Sequence, residues 1–136
     1  MLARNAKIDR LKRVPLFSEC SRVELAQVAG VADEVHFPAG RTLIEQGATG
    51  REFIVVLTGE VEVRRNGRRL PIDGDADFFG EAALLTGAKR NATVKTLSPV
   101  RALVITDRAF WRLLKDSPRI EGKILASLAS RLPHDE

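Results

Sequence analysis

The chain has very little cysteine and histidine, and both shortages limit its chemistry. Cys20 is the one cysteine among 136 residues, so no internal disulfide forms and a reducing compartment such as the cytoplasm fits. The two histidines, His36 and His134, lie far apart in the sequence. No Ser-His-Asp or Cys-His arrangement is apparent. We therefore predict no catalytic residues, no metal site and no enzymatic activity.

Long hydrophobic runs are also missing. The longest, such as FIVVL at 53–57, is far too short to span a bilayer, and the first fifteen residues hold no apolar segment typical of a secretory signal. We therefore predict no membrane partner. The composition is 44% hydrophobic and 29% charged, as in ordinary globular domains, and the length suits one domain over residues 1–136. The net charge of +4 favours anionic partners in general but is too small to indicate DNA binding.

The hydrophobic period changes twice along the chain. It is helical over residues 5–30, close to two over 33–106, and helical again over 107–132. Glycines recur through the middle region between short apolar stretches. This pattern predicts a mainly β fold: an antiparallel, double-stranded β-roll of jelly-roll type with about eight strands, preceded and followed by α-helices.

Local patterns predict where several elements begin and end. They are a capping box of Ser21 with Glu24, a helix stop at Gly30, a hairpin turn at Asn66-Gly67, an N-cap at Asp107, and an N-cap at Ser117 followed by Pro118. The last helix then carries an apolar stripe of Ile120, Ile124, Leu125, Leu128 and Leu132.

The segment 73–94, DGDADFFGEAALLTGAKRNATV, allows two interpretations. Its alternating acids suggest a calcium loop, but an EF-hand needs glycine at the sixth position and glutamate at the twelfth. Phe78 and Leu84 stand there instead. An acidic, solvated turn between strands is the better interpretation of residues 73–77.

The second half of the segment has the parts of an anion site. Gly80 allows a close backbone approach, residues 81–85 favour a short helix whose first N–H groups suit a phosphate, and Arg90 follows with a fork of donors. Glu81 would repel a lone phosphate but accepts hydrogen bonds from a sugar hydroxyl. Together these residues indicate a nucleotide or a sugar phosphate. A surface ion pair between Glu81 and Arg90 is the simpler alternative.

Several residues near this segment have an ordinary structural interpretation. Phe78 and Phe79 suit core anchors, and Trp111 suits helix packing better than stacking on a purine. The basic stretch RRNGRR at 64–69 is typical of a solvated hairpin tip rather than a nucleic-acid patch.

The motifs in this order resemble the cyclic nucleotide-binding domain family. FGEAALL followed by KRNATV is similar to its phosphate-binding cassette, here over residues 78–94. PLFSECSRVEL resembles its entry helix, and FPAGRTLIEQGATGREFIVVLTGEVEV resembles its glycine-spaced strands, so the resemblance covers about residues 14–132. It implies a regulatory sensor that binds a 3′,5′-cyclic nucleotide, first of all cyclic AMP, and needs no further cofactor.

The resemblance also implies a role for each site residue. Glu81 would bind the ribose 2′-hydroxyl, helped by the backbone of Gly80. Arg90 would pair with the equatorial oxygen of the cyclic phosphate, and the N–H groups of Ala83 and Asn91 would complete the cage. The full set of expected ligand-binding residues is Phe79, Gly80, Glu81, Ala82, Ala83, Arg90, Asn91 and Ala92.

Three positions depart from the family pattern and leave alternatives open. Ala76 replaces a usual glycine, Lys89 a frequent proline, and Asn91 a usual alanine, serine or threonine. Asn91 leaves cyclic GMP open as a ligand. A degenerate member that binds no ligand and acts as a protein-interaction module is one alternative. A cupin-type metalloenzyme, which shares the β architecture, is another.

The resemblance leaves the output of the domain open. No helix-turn-helix, kinase, channel or transferase pattern follows Leu132, so the expected effector is a protein acted on in trans or a further part of a longer chain. A homodimer is one assembly that it allows.

Overall fold

Eight short strands and five α-helices make up the fold in the computed structural model, which describes residues 2–70 and 78–131. The N-terminal part holds α1 (Leu2–Lys12), a 3₁₀ turn (Pro15–Phe17) and α2 (Arg22–Val31). The strands are β1 (Asp33–Phe37), β2 (Thr42–Ile44), β3 (Glu52–Thr58), β4 (Val61–Arg65), β5 (Arg68–Leu70), β6 (Phe78–Phe79), β7 (Thr93–Thr96) and β8 (Val100–Thr106). Helix α3 (Glu81–Thr86) interrupts them, and α4 (Asp107–Asp116) and α5 (Pro118–Arg131) follow.

The strands form two four-stranded antiparallel sheets. Sheet I has the order β1-β8-β3-β6 and sheet II the order β2-β7-β4-β5. With helices before and after them, these sheets confirm the predicted β-roll. Within the described residues, no helix has both the length and the apolar character needed to cross a bilayer.

Sheet I is shared between two hydrophobic cores because successive side chains of a strand point to opposite faces. On β3, Phe53 and Val55 pack against the helices, whereas Ile54 and Val56 pack toward sheet II. The two-residue strand β6 divides in the same way. Phe78 belongs to the helical core and Phe79 to the core between the sheets. The prediction that both phenylalanines anchor a core is confirmed.

The hairpin and two of the helix starts agree with the sequence. Asn66 and Gly67 have φ values of 54° and 80°, as a two-residue type I′ turn requires. Ser21 Oγ accepts from the Glu24 N–H at 3.1 Å and Glu24 Oε1 accepts from the Ser21 N–H at 2.8 Å, which completes the capping box. Ser117 Oγ accepts from the N–H of Ile120 at the start of α5.

Two predicted helix boundaries are wrong by one residue. Helix α2 does not stop at Gly30; it continues through Val31, and the chain turns extended at Ala32 to enter β1. Asp107 is not the cap of α4. Thr106, still extended at the end of β8, is the N-cap, and its Oγ1 accepts from the N–H of Ala109 at 3.2 Å. Asp107 becomes the first helical residue, where the positive end of the helix dipole stabilises its carboxylate.

The apolar stripe of α5 is only partly buried. Ile120 and Ile124 lie in the helical core, but Leu125 is exposed. The side chain of Leu128 and all of Leu132 lie outside the described residues. Trp111 on α4 is 49% exposed and meets Phe110 through its ring edge, so it contributes less to packing than predicted.

A polar cluster fixes the corner between α4 and α5 against the N-terminal helices. The buried hydroxyl of Ser117 donates to Glu24 Oε2, and Arg119 lies 3.8 Å from Glu24 Oε1. Lys123 donates to the carbonyl of Pro15 at 2.8 Å. The hydrogen bond from Ser117, followed by that from the Ser21 backbone, lowers the pKa of Glu24 below its ordinary value of 4.5.

We expect Glu24→Gln to lower the free energy of unfolding by about 1–2 kcal/mol near pH 7, because the hydrogen-bonded group loses its charge. A carboxylate whose folded pKa is depressed stabilises the protein above the unfolded value and loses that contribution as pH falls through the folded value. The difference between parent and variant should therefore shrink below about pH 4.5. Urea denaturation from pH 7 to pH 3 measures it.

Glu19→Gln is the matched control, since that exposed side chain makes no hydrogen bond to a described residue. A parent–variant difference for Glu24→Gln that stays constant down to pH 3 would contradict the expectation.

Candidate functional site

The predicted cassette forms a continuous unit next to β3. Strand β6 leads into α3 through Gly80, whose φ of 103° is left-handed. Helix α3 ends at Gly87, which has a φ of 75° and donates its N–H to the carbonyl of Ala83 at 2.9 Å. Both glycines are needed because other residues rarely adopt these φ values. The chain then passes through residues 88–92 into β7, as the sequence predicts.

Arg90 lies at the centre of this unit, and its side chain is only 7% exposed. Nη1 donates to the carbonyl of Gly80 at 3.2 Å, and Nη2 donates to the carbonyl of Glu52 at 2.7 Å. The backbone of Arg90 is also held, since its N–H donates to Ala48 O at 2.8 Å and its carbonyl accepts from the Gly47 N–H at 2.9 Å. The guanidinium therefore has a fixed position between β3 and the start of α3.

Two glycines provide the space that this guanidinium occupies. A Cβ on Gly80 would lie 2.6 Å from Arg90 Nη1 and 2.7 Å from the carbonyl oxygen of Glu52. A Cβ on Gly50 would lie 2.8 Å from Arg90 Cζ and 2.8 Å from the Cβ of Ala83. The sequence singled out Gly80 for close approach to a ligand, but the structure shows that it also admits Arg90. Gly50 was not predicted as a site residue, because it stands forty positions from Arg90 in the sequence.

Four backbone N–H groups of the cassette lie close to Gly80 or Arg90 in the sequence. Among the described residues, no acceptor is bonded to the N–H groups of Ala82 and Ala83 at the start of α3 or to those of Asn91 and Ala92 before β7. Ala83 and Ala92 are buried, and Asn91 is exposed. Together with Arg90, these groups present hydrogen-bond donors and positive charge, which suits an anion.

The structure gives the positions of the residues expected at the site. Gly80, Ala83 and Arg90 are brought together, and Asn91 and Ala92 follow directly. Phe79 is packed in the core between the sheets. Glu81 begins α3, but its side chain lies outside the described residues, as does the acidic segment 71–77 with Ala76. The ligand roles of all eight residues stay predictions.

Other candidate groups in the described parts of the chain do not form a metal-binding cluster. Within residues 2–70 and 78–131, no group of three or more His, Cys, Asp and Glu side chains is placed to hold a metal ion. His36 lies on edge strand β1 with its Nε2 3.8 Å from Glu34, and His134 is outside the described residues. Cys20 is buried in the helical core, and that burial raises the pKa of its thiol, so it suits packing rather than reactivity.

A family model described as the cyclic nucleotide-binding domain matches residues 34–117, which include the sheets, the cassette and α4. The chain belongs to the cyclic nucleotide-binding domain family. The resemblance seen in the cassette is thereby confirmed. The matched family is a regulatory binding domain rather than a catalytic one.

A curated relative shares the family and shows how much of a larger protein this domain represents. The chain is 37% identical over 106 residues to a cAMP-dependent protein kinase regulatory subunit of Aspergillus fumigatus. The match covers 76% of this chain but 26% of that protein, so the cyclic nucleotide-binding domain described here spans about a quarter of the relative's length.

Solved structures share the fold at low sequence identity. The regulatory subunit of a cAMP-independent protein kinase A from Trypanosoma brucei matches with a TM-score of 0.81 at 25% identity, over 96% of this chain and 46% of that one. The regulatory domain of Toxoplasma gondii PKA, crystallised with cAMP, matches with a TM-score of 0.79 at 23% identity, over 95% and 50%. These matches establish that the fold is a β-roll with flanking helices. They do not identify the ligand that this chain binds.

We expect Gly50→Ala to lower the free energy of unfolding by about 1–3 kcal/mol, as overpacking typically does. The new methyl group would meet the backbone-anchored guanidinium of Arg90 and the Cβ of Ala83, and neither can retreat easily. Urea denaturation measures the change.

Gly30→Ala is the matched control. A Cβ there meets nothing within 4 Å, and the residue lies inside α2, so the same substitution should stabilise by up to about 1 kcal/mol. Equal effects of the two substitutions would contradict the close packing around Arg90.

Proposed function

We propose that the domain binds a 3′,5′-cyclic nucleotide, most readily cyclic AMP, at the cassette around Arg90. The observation that carries the proposal is the buried guanidinium of Arg90, held by the carbonyls of Gly80 and Glu52. A cation fixed in this way needs no reorganisation when a phosphate arrives, and its planar fork matches phosphate oxygens.

The proposed ligand orientation follows from the order of groups along the cassette. Arg90 and the N–H groups of Ala83 and Asn91 would hold the cyclic phosphate. Glu81, the first residue of α3, would accept a hydrogen bond from the ribose 2′-hydroxyl. A ligand with a single negative charge and an adjacent hydroxyl satisfies both charged residues, whereas inorganic phosphate would leave Glu81 opposed to it. Asn91 replaces a smaller residue, so cyclic GMP is the second nucleotide to compare.

The proposed output is regulatory. Cyclic AMP is named in the description of the kinase regulatory subunit from Aspergillus fumigatus and bound in the structure from Toxoplasma gondii. We propose that this domain likewise senses the nucleotide in the cytoplasm and signals to a protein effector, in trans or in a longer chain, without direct DNA binding. A homodimer is compatible with this role.

The second candidate function is a ligand-free interaction module. The match to the Trypanosoma brucei regulatory subunit favours it, because that protein has the same fold but belongs to a kinase described as cAMP-independent. The two candidates differ in one measurable respect. Only the first predicts saturable nucleotide binding that depends on Arg90.

We expect Arg90→Ala to weaken cyclic AMP binding by about 2–5 kcal/mol, because the phosphate loses a buried charged partner. Arg90→Lys should recover only part of the loss, since an ammonium keeps the charge but not the fork. Isothermal calorimetry measures both, with circular dichroism to confirm that the variants are folded.

Lys89→Ala is the control for charge alone. Lys89 is exposed and donates to Thr49 Oγ1 at 3.2 Å, so its loss should change the affinity by less than about 1 kcal/mol. The assignment fails if folded Arg90→Ala binds cyclic AMP as well as the parent does. No binding of any cyclic nucleotide by the parent would favour the interaction module.

We expect 2′-deoxy cyclic AMP to bind the parent about 1–3 kcal/mol more weakly than cyclic AMP, because Glu81 would lose a charged hydrogen bond. In Glu81→Ala the difference between the two ligands should nearly vanish, although both bind weakly. Competition titration of the two ligands against parent and variant measures this double difference. If the parent binds both ligands equally, Glu81 does not contact the sugar.

A further inference from the structure

The tip of the β4–β5 hairpin contacts the cassette at Asn91. Strand β4 pairs with β7 only as far as Arg64 opposite Thr93. Arg65 is the next residue, and its side chain continues the connection where the ladder stops. Its Nε donates to the backbone carbonyl of Asn91 at 3.0 Å. The contact joins residues twenty-six positions apart and holds the segment that leads into β7.

This bond fixes a peptide unit rather than a side chain. The carbonyl of Asn91 and the N–H of Ala92 belong to one planar trans peptide and point in opposite directions. A donor that holds the carbonyl therefore aims the N–H away from Arg65. No described group accepts from that N–H. This peptide is the second one after Arg90, so its orientation sets the direction of an N–H donor two residues from Arg90.

The hairpin tip is itself braced against the loop that holds Arg90. Gln46 Nε2 donates to Asn66 Oδ1 at 2.8 Å, and the Asn66 N–H donates to Gln46 Oε1 at 2.8 Å. Gln46 also donates its own N–H to Thr93 Oγ1 at 2.9 Å. The neighbouring residues Gly47 and Ala48 bond the backbone of Arg90. Residues 90–92 are thus bonded to two loops that are also bonded to each other.

We propose that Arg65 is a positioning residue for the ligand site: its bond to the Asn91 carbonyl presets the Ala92 N–H as a further donor to the phosphate, in addition to the N–H groups of Ala83 and Asn91. The proposal rests on the proposed cyclic nucleotide function. It adds a residue outside the cassette, supplied by the basic hairpin, and it makes the hairpin part of the site rather than only a solvated turn.

A general electrostatic effect is the competing explanation, because any cation near the site attracts an anion. A substitution at Arg68 distinguishes the positioning effect from the general electrostatic effect. Arg68 lies on the same hairpin with the same charge, but it is exposed and makes no side-chain hydrogen bond within the described residues. Attraction between exposed charges is screened by salt, whereas a preset peptide orientation is not.

The experiment compares Arg65→Met with Arg68→Met in the full chain. Calorimetry with cyclic AMP at 0.1 M and 0.5 M NaCl should show about tenfold weaker binding for Arg65→Met at both salt concentrations, the size of one charge-assisted hydrogen bond. Arg68→Met should change affinity by less than about twofold at 0.5 M. Arg65→Lys, which keeps the charge and a donor, should recover part of the loss.

Amide hydrogen exchange without ligand gives a readout independent of binding. Exchange at Arg90, whose N–H donates to Ala48 O, should be faster in Arg65→Met than in the parent and unchanged in Arg68→Met. If the parent binds no cyclic nucleotide, the proposed function fails. The exchange difference then still shows whether the bond from Arg65 to the Asn91 carbonyl holds the segment in place. Gln46→Met, which removes the brace on the hairpin tip, should shift exchange and affinity in the same direction and replaces Arg65→Met if that variant does not fold.

Two results would overturn the proposal. Equal weakening by Arg65→Met and Arg68→Met, lost at 0.5 M NaCl, would mean that the hairpin acts only by its charge. Parent-like affinity in Arg65→Met, or parent-like exchange at Arg90, would mean that the bond to Asn91 does not position the site.

Discussion

The buried guanidinium of Arg90 is accommodated because two neighbouring positions have no side chain. Gly50 and Gly80 leave the space, and the carbonyls of Gly80 and Glu52 take up the donors. A charged group this far from water is costly unless its hydrogen bonds are satisfied. The loop before β3, the left-handed entry to α3 and the approach to β7 all meet at this one side chain, so their conformations are tied to one another.

Sheet I relates this site to the rest of the molecule. Because β3 and β8 contribute side chains to both cores, the sheet cannot move toward sheet II without disturbing the helices on its other face. Leu84 of α3 and Ile124 of α5 belong to the same helical core. Helix α3 of the cassette and helix α5 therefore pack in the same core.

Much of this could be predicted from the sequence, and the limits follow from distance along the chain. The cassette was recognisable because Gly80, Glu81 and Arg90 lie within eleven consecutive positions. The Asn66-Gly67 turn and the Ser21–Glu24 capping box depend on neighbours alone. Gly50 was missed because its φ is ordinary and only its packing against Arg90 gives it a role. The bond from Arg65 to Asn91 could not be predicted either, because the sequence does not show that the basic hairpin tip lies next to residue 91. The cap of α4 was misplaced because Thr106 and Asp107 are both good caps, and only the end of β8 decides between them.

Strand β6 consists of two phenylalanines whose rings enter different cores. A tilt of such a short strand would drive one ring deeper into its core while drawing the other ring out of its own core. Phe78 touches Phe53, and Phe53 in turn touches Phe110 of α4, with ring centroids 5.6 Å and 4.9 Å apart. Movement at Gly80, the residue after β6, would thus be transmitted to α4 through the rings of Phe78, Phe53 and Phe110, with no polar side chain among them.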